Sequence, residues 1–263
     1  MDLGMKGRVA LVTAGSRGLG RAVAVALARE GARVALCARG EQDLADASEA
    51  VRSAGDGQVL AAPVDMAVPN QLEHFVDEVE QTLGPVSLCL VNAGGPPTGN
   101  FLELELEDWD QAYQLTLKSA VRTCRRVLPG MMDLGYGRIV AITSIAVRQP
   151  VENLTLSNVV RPAVHALVKD LSLVGAAHGV TVNAVEPGLH MTSALERLIT
   201  AKIAQGASDR EAVIDQWLGE IPAGRTGDAD EFAAMVAFLM SEQAGYITGQ
   251  SLAADGGMIK GTF

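Results

Sequence analysis

Basic residues are scarce relative to acids: 21 Lys+Arg against 31 Asp+Glu leave a net charge of −10 in a chain of 263 residues. Such a chain has no long-range attraction for nucleic-acid phosphate or an anionic membrane face, so neither nucleic acid nor membrane is an expected partner. Cysteine is rare too. Cys37, Cys89 and Cys124 are odd in number, far apart and each set in an apolar stretch. That pattern fits reduced thiols in a core, not a disulfide framework or a metal site, and no metal is expected. Nowhere do about 18 apolar residues run together, and the N-terminus lacks a basic-then-apolar leader. The expectation is a cytoplasmic protein.

What is abundant is core material. Hydrophobic residues make up 48% of the chain, which excludes intrinsic disorder and fills one large α/β domain or two small ones. Apolar runs of strand length alternate with segments of helical period: 9–13 then 18–30, 33–38 then 41–53, 59–64 then 70–83. The runs 86–92, 138–144 and 180–186 continue the series, separated by helical stretches over about 107–132 and 154–178. Repeated βαβ units with apolar strands predict a parallel sheet covered by helices on both faces. No linker or repeat interrupts them, so 1–263 is read as a single domain. The stretch 188–225 lacks a strand and is read as a helical insertion on the substrate side. Its apolar positions, Leu195, Leu198 and Ile199, then Val213, Ile214, Trp217, Leu218 and Ile221, suit either ordinary helix packing or a lid over a pocket.

Thr13-Ala14-Gly15-Ser16-Arg17-Gly18-Leu19-Gly20 joins the first predicted strand to the first helix. Glycines there let the backbone turn sharply and approach a pyrophosphate, whose charge is stabilised by free N–H groups at the helix N-terminus. An acid closing the second strand would favour the ribose 2′-hydroxyl of NAD, but that strand closes on Cys37-Ala38-Arg39, and Arg17 lies within the turn. Two guanidinium groups suit a 2′-phosphate, so NADP is favoured over NAD, with Glu41 as the competing acid if Arg39 points away.

From here the sequence resembles the short-chain dehydrogenase/reductase family, in its oxoacyl-carrier-protein-reductase-like form, almost end to end. The glycine turn resembles the family's cofactor loop, and Val64-Asp65-Met66 its adenine-contacting segment. Asn92-Ala93-Gly94 matches the motif after the fourth strand, and Ser144 in Ile142-Thr143-Ser144 falls where the family has its catalytic serine. Val182 through Pro187-Gly188, with Thr192 beyond, looks like the sixth strand and its nicotinamide-side turn, and Tyr246 to Gly257 like the closing strand. The resemblance implies a Rossmann-like, doubly wound parallel sheet of seven strands with helices on both faces, a nicotinamide cofactor, and a homotetramer or dimer with the fourth and fifth predicted helices as contact faces.

The family's usual Tyr and Lys are missing. Thirteen residues beyond Ser144 stands Ser157, four further stands Arg161, and the helix-four position seven after Trp109 is Thr116 where the family has Asn. No Tyr-x-x-x-Lys exists in the chain: four beyond Tyr113, Tyr136 and Tyr246 come Leu117, Val140 and Gln250. A phenol of pKa about 10 can be tuned to protonate a developing alkoxide, whereas a serine hydroxyl is far less acidic and a guanidinium holds its proton. Ser144 and Ser157 are therefore candidate hydrogen-bond donors to substrate, and Arg161 a fixed positive charge beside the nicotinamide ribose. The competing reading makes Ser157 a helix cap and Arg161 a solvated residue, and Pro162 predicts that the fifth helix is kinked or starts late. His190 is a further candidate proton donor; His165, one turn past Arg161, reads as packed or at an interface, and Arg148 and Asn153, flanking the loop between the serines, read either as grips for an anionic or polar substrate group or as exposed residues.

The expected function is an NADP-dependent oxidoreductase acting on the carbonyl or secondary alcohol of a small molecule. A non-redox NADP-binding sensor, and a lyase or isomerase on the same scaffold, stand as alternatives.

Overall fold

The computed structural model describes residues 2–204, 206 and 208–262. Seven parallel strands form one sheet in the order β3-β2-β1-β4-β5-β6-β7. They are β1 (Val9–Thr13), β2 (Arg33–Ala38), β3 (Val59–Pro63), β4 (Val86–Val91), β5 (Gly137–Ile142), β6 (Val180–Pro187) and β7 (Ser251–Ala254). The strands are apolar throughout because side chains of successive residues enter opposite cores. Val9, Leu11, Ala35, Cys37, Cys89, Ile139 and Val182 point to one face, where α3 (Gln71–Thr82), α5 (Ser119–Asp133) and α6 (Thr155–Gly175) supply Phe75, Val127 and Val164. Ala10, Val12, Val34, Leu36, Leu90, Val140 and Val185 point to the other, against α1 (Gly18–Arg29), α2 (Glu41–Ala54) and α9 (Ala229–Met240), through Val23, Leu44 and Phe232.

Two predicted helices differ in detail. The stretch expected to be one helix over 107–132 comprises α4 (Leu106–Ala112), a π-helical segment (Tyr113–Lys118) and α5. The Ser119 N–H reaches back to the Gln114 carbonyl, and the Ser119 hydroxyl bonds back to Leu115. Helix α6 does not start late: it begins at Thr155 and runs on through Pro162. Asn158 anchors its start by accepting from the Val151 N–H at 3.0 Å and donating to the Val151 carbonyl at 2.9 Å.

The insertion holds α7 (Ser193–Ala204) and α8 (Arg210–Leu218), whose Leu195, Ile199 and Val213 form a small core of their own with Trp217 packed against it. Lys202 on α7 pairs with Glu152 at 2.6 Å, tying the insertion to the loop before α6. All three cysteines are buried and unpaired. Burial pushes the Cys37 and Cys124 thiols up to about 12 and Cys89 well above its usual value, which keeps them protonated and unreactive. Among the described residues no helix is long and apolar enough to cross a membrane, and no group of His, Cys, Asp and Glu could hold a metal ion.

Candidate active site

The strand order reverses direction between β1 and β4, and ligands of open α/β sheets bind in the crevice at that switch point. Thr13, closing β1, stitches its two walls together: its Oγ1 accepts from the Asn92 N–H at 2.8 Å and donates to the Asn92 carbonyl at 2.7 Å. The Asn92 amide then donates to the Ala14 carbonyl at 3.2 Å. At Gly20 a β-carbon would lie 2.5 Å from the Ala14 carbonyl oxygen and 2.9 Å from Asn92 Nδ2, so only glycine lets α1 start this close to both loops. Gly15 links the turn to the end of β2 by donating to the Cys37 carbonyl at 3.0 Å. The N-cap of α1, Arg17, makes no side-chain cap bond, and the first turn holds no acid. Free amide donors and an uncompensated positive helix end suit a phosphate group.

Across the turn lies the segment after β6. Thr192 carbons sit 3.4 Å from where a Gly18 β-carbon would be, and Gly18 itself has the left-handed φ of +51°. Ser16, Arg17, Gly18, Arg21, Asp43, Asp46, Met191, Thr192 and Ser193 line a cavity of about 420 Å³. Of the remaining candidates on this side, Leu19 turns its side chain toward the core behind the sheet, and Met66 is buried in the opposite core. Asp65 accepts from the Ala67 N–H at 2.9 Å. Arg39 is exposed and not part of the cavity lining, Ala93 is half-buried, and Gly94 is exposed with open space beside it. Pro187 is half-buried and closes β6; Gly188 donates to the Ala254 carbonyl at 2.9 Å, packed so closely that a β-carbon would meet Asp255 at 2.7 Å.

Farther along the crevice, two residues past the end of β5, stands Ser144. This residue caps a 3-10 turn (Ile145–Val147), its Oγ accepting from the Ala146 N–H at 3.1 Å. A hydroxyl that accepts there retains its own hydrogen for donation. Ser157 is buried in the first turn of α6 and does not cap it, since the cap position is Leu154. One turn on, Arg161 Nη1 donates to the Thr143 carbonyl at 2.9 Å and to the Ile142 carbonyl at 3.3 Å. Burial pulls its pKa down to about 10, and no carboxylate offsets that. Arg161 is thus half-buried and positive at neutral pH. The π-helical segment faces α6, and Thr116 within it is buried with no hydrogen-bond partner for its Oγ1.

His190 lies apart from this serine-arginine group. Its ring meets Phe232 edge-on at 5.4 Å, presses on Gly227, and places Nδ1 3.3 Å from the Gly188 carbonyl. Burial lowers its pKa, so it stays neutral.

Two charged groups escape a reading by sequence. Glu186, an acid inside an apolar strand, is fully buried and accepts from Arg148 Nε at 2.6 Å and from the Ser251 hydroxyl, with His165 Nδ1 3.5 Å away. Arg148 also donates to the Ser251 carbonyl at 2.8 Å, so it faces the protein and not a substrate. Its strand position was the available signal for Glu186. The second is Asp43, on the first turn of α2, which pairs with Arg17.

The profile of the family described as Enoyl-(Acyl carrier protein) reductase matches residues 13–259. The chain is 32% identical over 256 residues to the 3-oxoacyl-[acyl-carrier-protein] reductase FabG of Escherichia coli (strain K12), covering 97% of this chain and 99% of that one. It is 35% identical over 253 residues to the acetoacetyl-CoA reductase of Rhizobium meliloti (strain 1021), covering 95% and 98%. Among solved structures it superposes on L-sorbose reductase from Gluconobacter frateurii complexed with NADPH and L-sorbose, with a TM-score of 0.93, 30% identity, and coverage of 99% of this chain and 100% of that one. Actinorhodin polyketide ketoreductase with NADPH gives a TM-score of 0.91 at 32% identity, covering 95% and 97%. With the parallel sheet, the glycine turn at its switch point and relatives matched over nearly their whole length, the chain belongs to the short-chain dehydrogenase/reductase family of oxidoreductases.

Proposed function

We propose that the protein is an NADP-dependent oxidoreductase that interconverts a carbonyl and a secondary alcohol on a small molecule, with an atypical site for proton delivery. The observation that carries this reading is Arg161: a half-buried cation with no carboxylate partner among the described residues, bonded to the carbonyls of the two residues before Ser144. Bound NADPH would supply the hydride. The uncapped start of α1, with Gly15, Ser16, Gly18, the Leu19 backbone and Gly20, would hold its pyrophosphate. Arg17 and Arg39 would take the 2′-phosphate; Asp65, Asn92, Ala93 and Gly94 would line the adenosine and ribose side, and Pro187, Gly188 and Thr192 the nicotinamide side.

Ser144 and Ser157 would donate hydrogen bonds to the substrate oxygen as it gains charge, and Arg161 would add a fixed positive field from behind. In a site that excludes water such preorganised donors act strongly. The proton itself would come from water, because neither serine nor arginine exchanges one readily near neutral pH. General acid–base catalysis contributes about 10²–10⁴-fold, whereas orientation contributes roughly 7–11 kcal/mol, so hydride transfer survives the missing phenol at a reduced rate.

A second reading, a sensor that binds the nucleotide without turnover, draws on the same residue: the Nη1 bonds of Arg161 go to main-chain carbonyls and leave fewer donors for a ribose. NADPH titration followed by nicotinamide absorbance, with a panel of ketones, aldehydes and oxoacyl thioesters across pH, separates the two. Turnover that falls in single-turnover measurements of Ser144→Ala supports the oxidoreductase. Tight binding with no turnover supports the sensor, and substrate conversion without net NADPH oxidation supports a lyase or isomerase.

The same reading includes a homo-oligomer. A groove of about 450 Å³ between α5 and α6 is lined by Val121, Leu128, Leu167, Leu171 and Val174, with Leu173 exposed nearby. Light scattering at micromolar concentration reads the assembly directly.

A further inference from the structure

Cofactor preference in this site is set by more than the presence of arginines. The cavity beside the glycine turn carries Arg17 and Arg21 against Asp43 and Asp46, so the charges on its lining cancel. A 2′-phosphate carries about −1.5 to −2 charges, by analogy with other phosphate monoesters, and gains little from a neutral pocket. The charges are not evenly engaged. Arg17 Nη2 is in direct contact with Asp43 Oδ2, while Asp46 accepts from Gln42 Nε2 at 3.0 Å on the surface of α2. The Asp43 carboxylate leans back over Gly40, its Oδ2 3.1 Å from where a β-carbon on that residue would lie, which places it at the end of β2 beside Arg39. The end of β2 is where the adenosine ribose of a dinucleotide is read.

We infer that Asp43 is the residue that tempers NADPH over NADH in this protein, by occupying Arg17 whenever no 2′-phosphate is there to displace it. The pair is open to solvent, with 62% of the Arg17 side chain and 31% of the Asp43 side chain exposed, so it holds loosely and exchanges for a stronger anion at low cost. A phosphate monoester offers three acceptor oxygens to the guanidinium fork against two on the carboxylate, and Arg17 prefers it. NADH has no such group. With NADH the ion pair stays closed and Arg17 contributes nothing, so the carboxylate penalises only the phosphorylated cofactor, through competition for Arg17.

The inference rests on reading residues 15–20 as the nucleotide turn, and the test keeps the two apart. Dissociation constants for NADPH and NADH are measured by nicotinamide fluorescence on the full chain, with no substrate, for wild type, Asp43→Asn, Asp46→Asn, Arg17→Ala and the Arg17→Ala/Asp43→Asn double variant. Asp43→Asn is expected to tighten NADPH by about three- to tenfold and to move NADH by less than about twofold. Asp46→Asn, whose carboxylate bonds Gln42 and not Arg17, should shift the ratio of the two constants by less than Asp43→Asn does. In the Arg17→Ala background the effect of Asp43→Asn should shrink to below about twofold, because the coupling runs through that guanidinium. An unchanged or lower NADPH preference in Asp43→Asn overturns the inference while wild-type NADPH binding leaves the nucleotide turn standing. A loss of NADH affinity in Asp43→Asn also overturns it, since the carboxylate would then be receiving the ribose hydroxyl. An undiminished effect in the Arg17→Ala background overturns it as well. Wild-type protein that binds neither nucleotide overturns both readings.

Discussion

The guanidinium of Arg161 lies 2.9 Å from the carbonyl oxygen of Thr143, which fastens the second turn of α6 to the end of β5 immediately before Ser144. Its stability ledger is nearly balanced. A fall from the usual 12.5 to about 10 corresponds to about 3 kcal/mol opposing folding with the cation in place. Hydrogen bonds from a charged donor return about 1.5–3 kcal/mol each. Arg161→Met is therefore expected to lower the unfolding free energy by no more than about 3 kcal/mol, while lowering the rate of hydride transfer by about 10²-fold. Urea unfolding and single-turnover kinetics on the same preparation check both halves. Severe destabilisation with unchanged kinetics would make Arg161 a structural tie and nothing more.

The pair formed by Glu186 and Arg148 is asymmetric, and its asymmetry predicts an order of effects. Glu186 is fully buried, whereas 28% of the Arg148 side chain reaches solvent. Removing the arginine strands a carboxylate away from water, with only the Ser251 hydroxyl to bond it and His165 nearby. Removing the carboxylate leaves a guanidinium that water can still reach. Arg148→Ala should cost about 3–5 kcal/mol of stability and Glu186→Gln about 2–3 kcal/mol. Denaturant midpoints for the two variants decide it, and a larger loss in Glu186→Gln would contradict the assignment of burial to the acid.

How far the sequence reveals this protein depends on whether the information is local. Strand positions are readable because each apolar run serves two cores at once: Leu11 and Val12 are adjacent in sequence and fully buried on opposite faces. The glycine turn is readable because the spacing of Gly18 and Gly20 reflects a local backbone demand. The π-helical segment is not, since the apolar period runs through Tyr113–Lys118 without a break and the register shift arises from one main-chain bond between Ser119 and Gln114. Partners distant in sequence are equally hidden. Glu41 reads as the acid nearest Arg39, but helical geometry turns Asp43 toward Arg17; Arg148 reads as a substrate clamp, yet Glu186, 38 residues away, receives it. Met66 sits inside a motif that suggests contact with the adenine, and its side chain goes to the core because the segment after β3 curls under α5, where Arg122 holds the Met66 carbonyl at 3.3 Å.

His190 supplies a pH test of its own placement. Its ring is closed in by Phe232 and Gly227, and burial depresses its pKa below the 6.5 of a free histidine, outweighing the opposing pull of the Gly188 carbonyl, Glu231 and Asp228. The unfolded chain therefore binds a proton at this residue more readily than the folded one. For a base with a depressed folded pKa, stability rises with pH: the contribution is complete above about pH 6.5 and is withdrawn as the pH falls below it, where the unfolded state gains its proton first. Substitution by a side chain that does not titrate removes that dependence. Measured by urea unfolding at pH 7.5 and pH 5.5, wild type is expected to lose more stability between the two than His190→Gln does. If the variant loses as much as wild type, the histidine titrates with its ordinary pKa and is open to solvent. A larger loss in the variant would mean that wild-type His190 gains its proton more readily when folded, and would restore it as a candidate proton donor at the crevice.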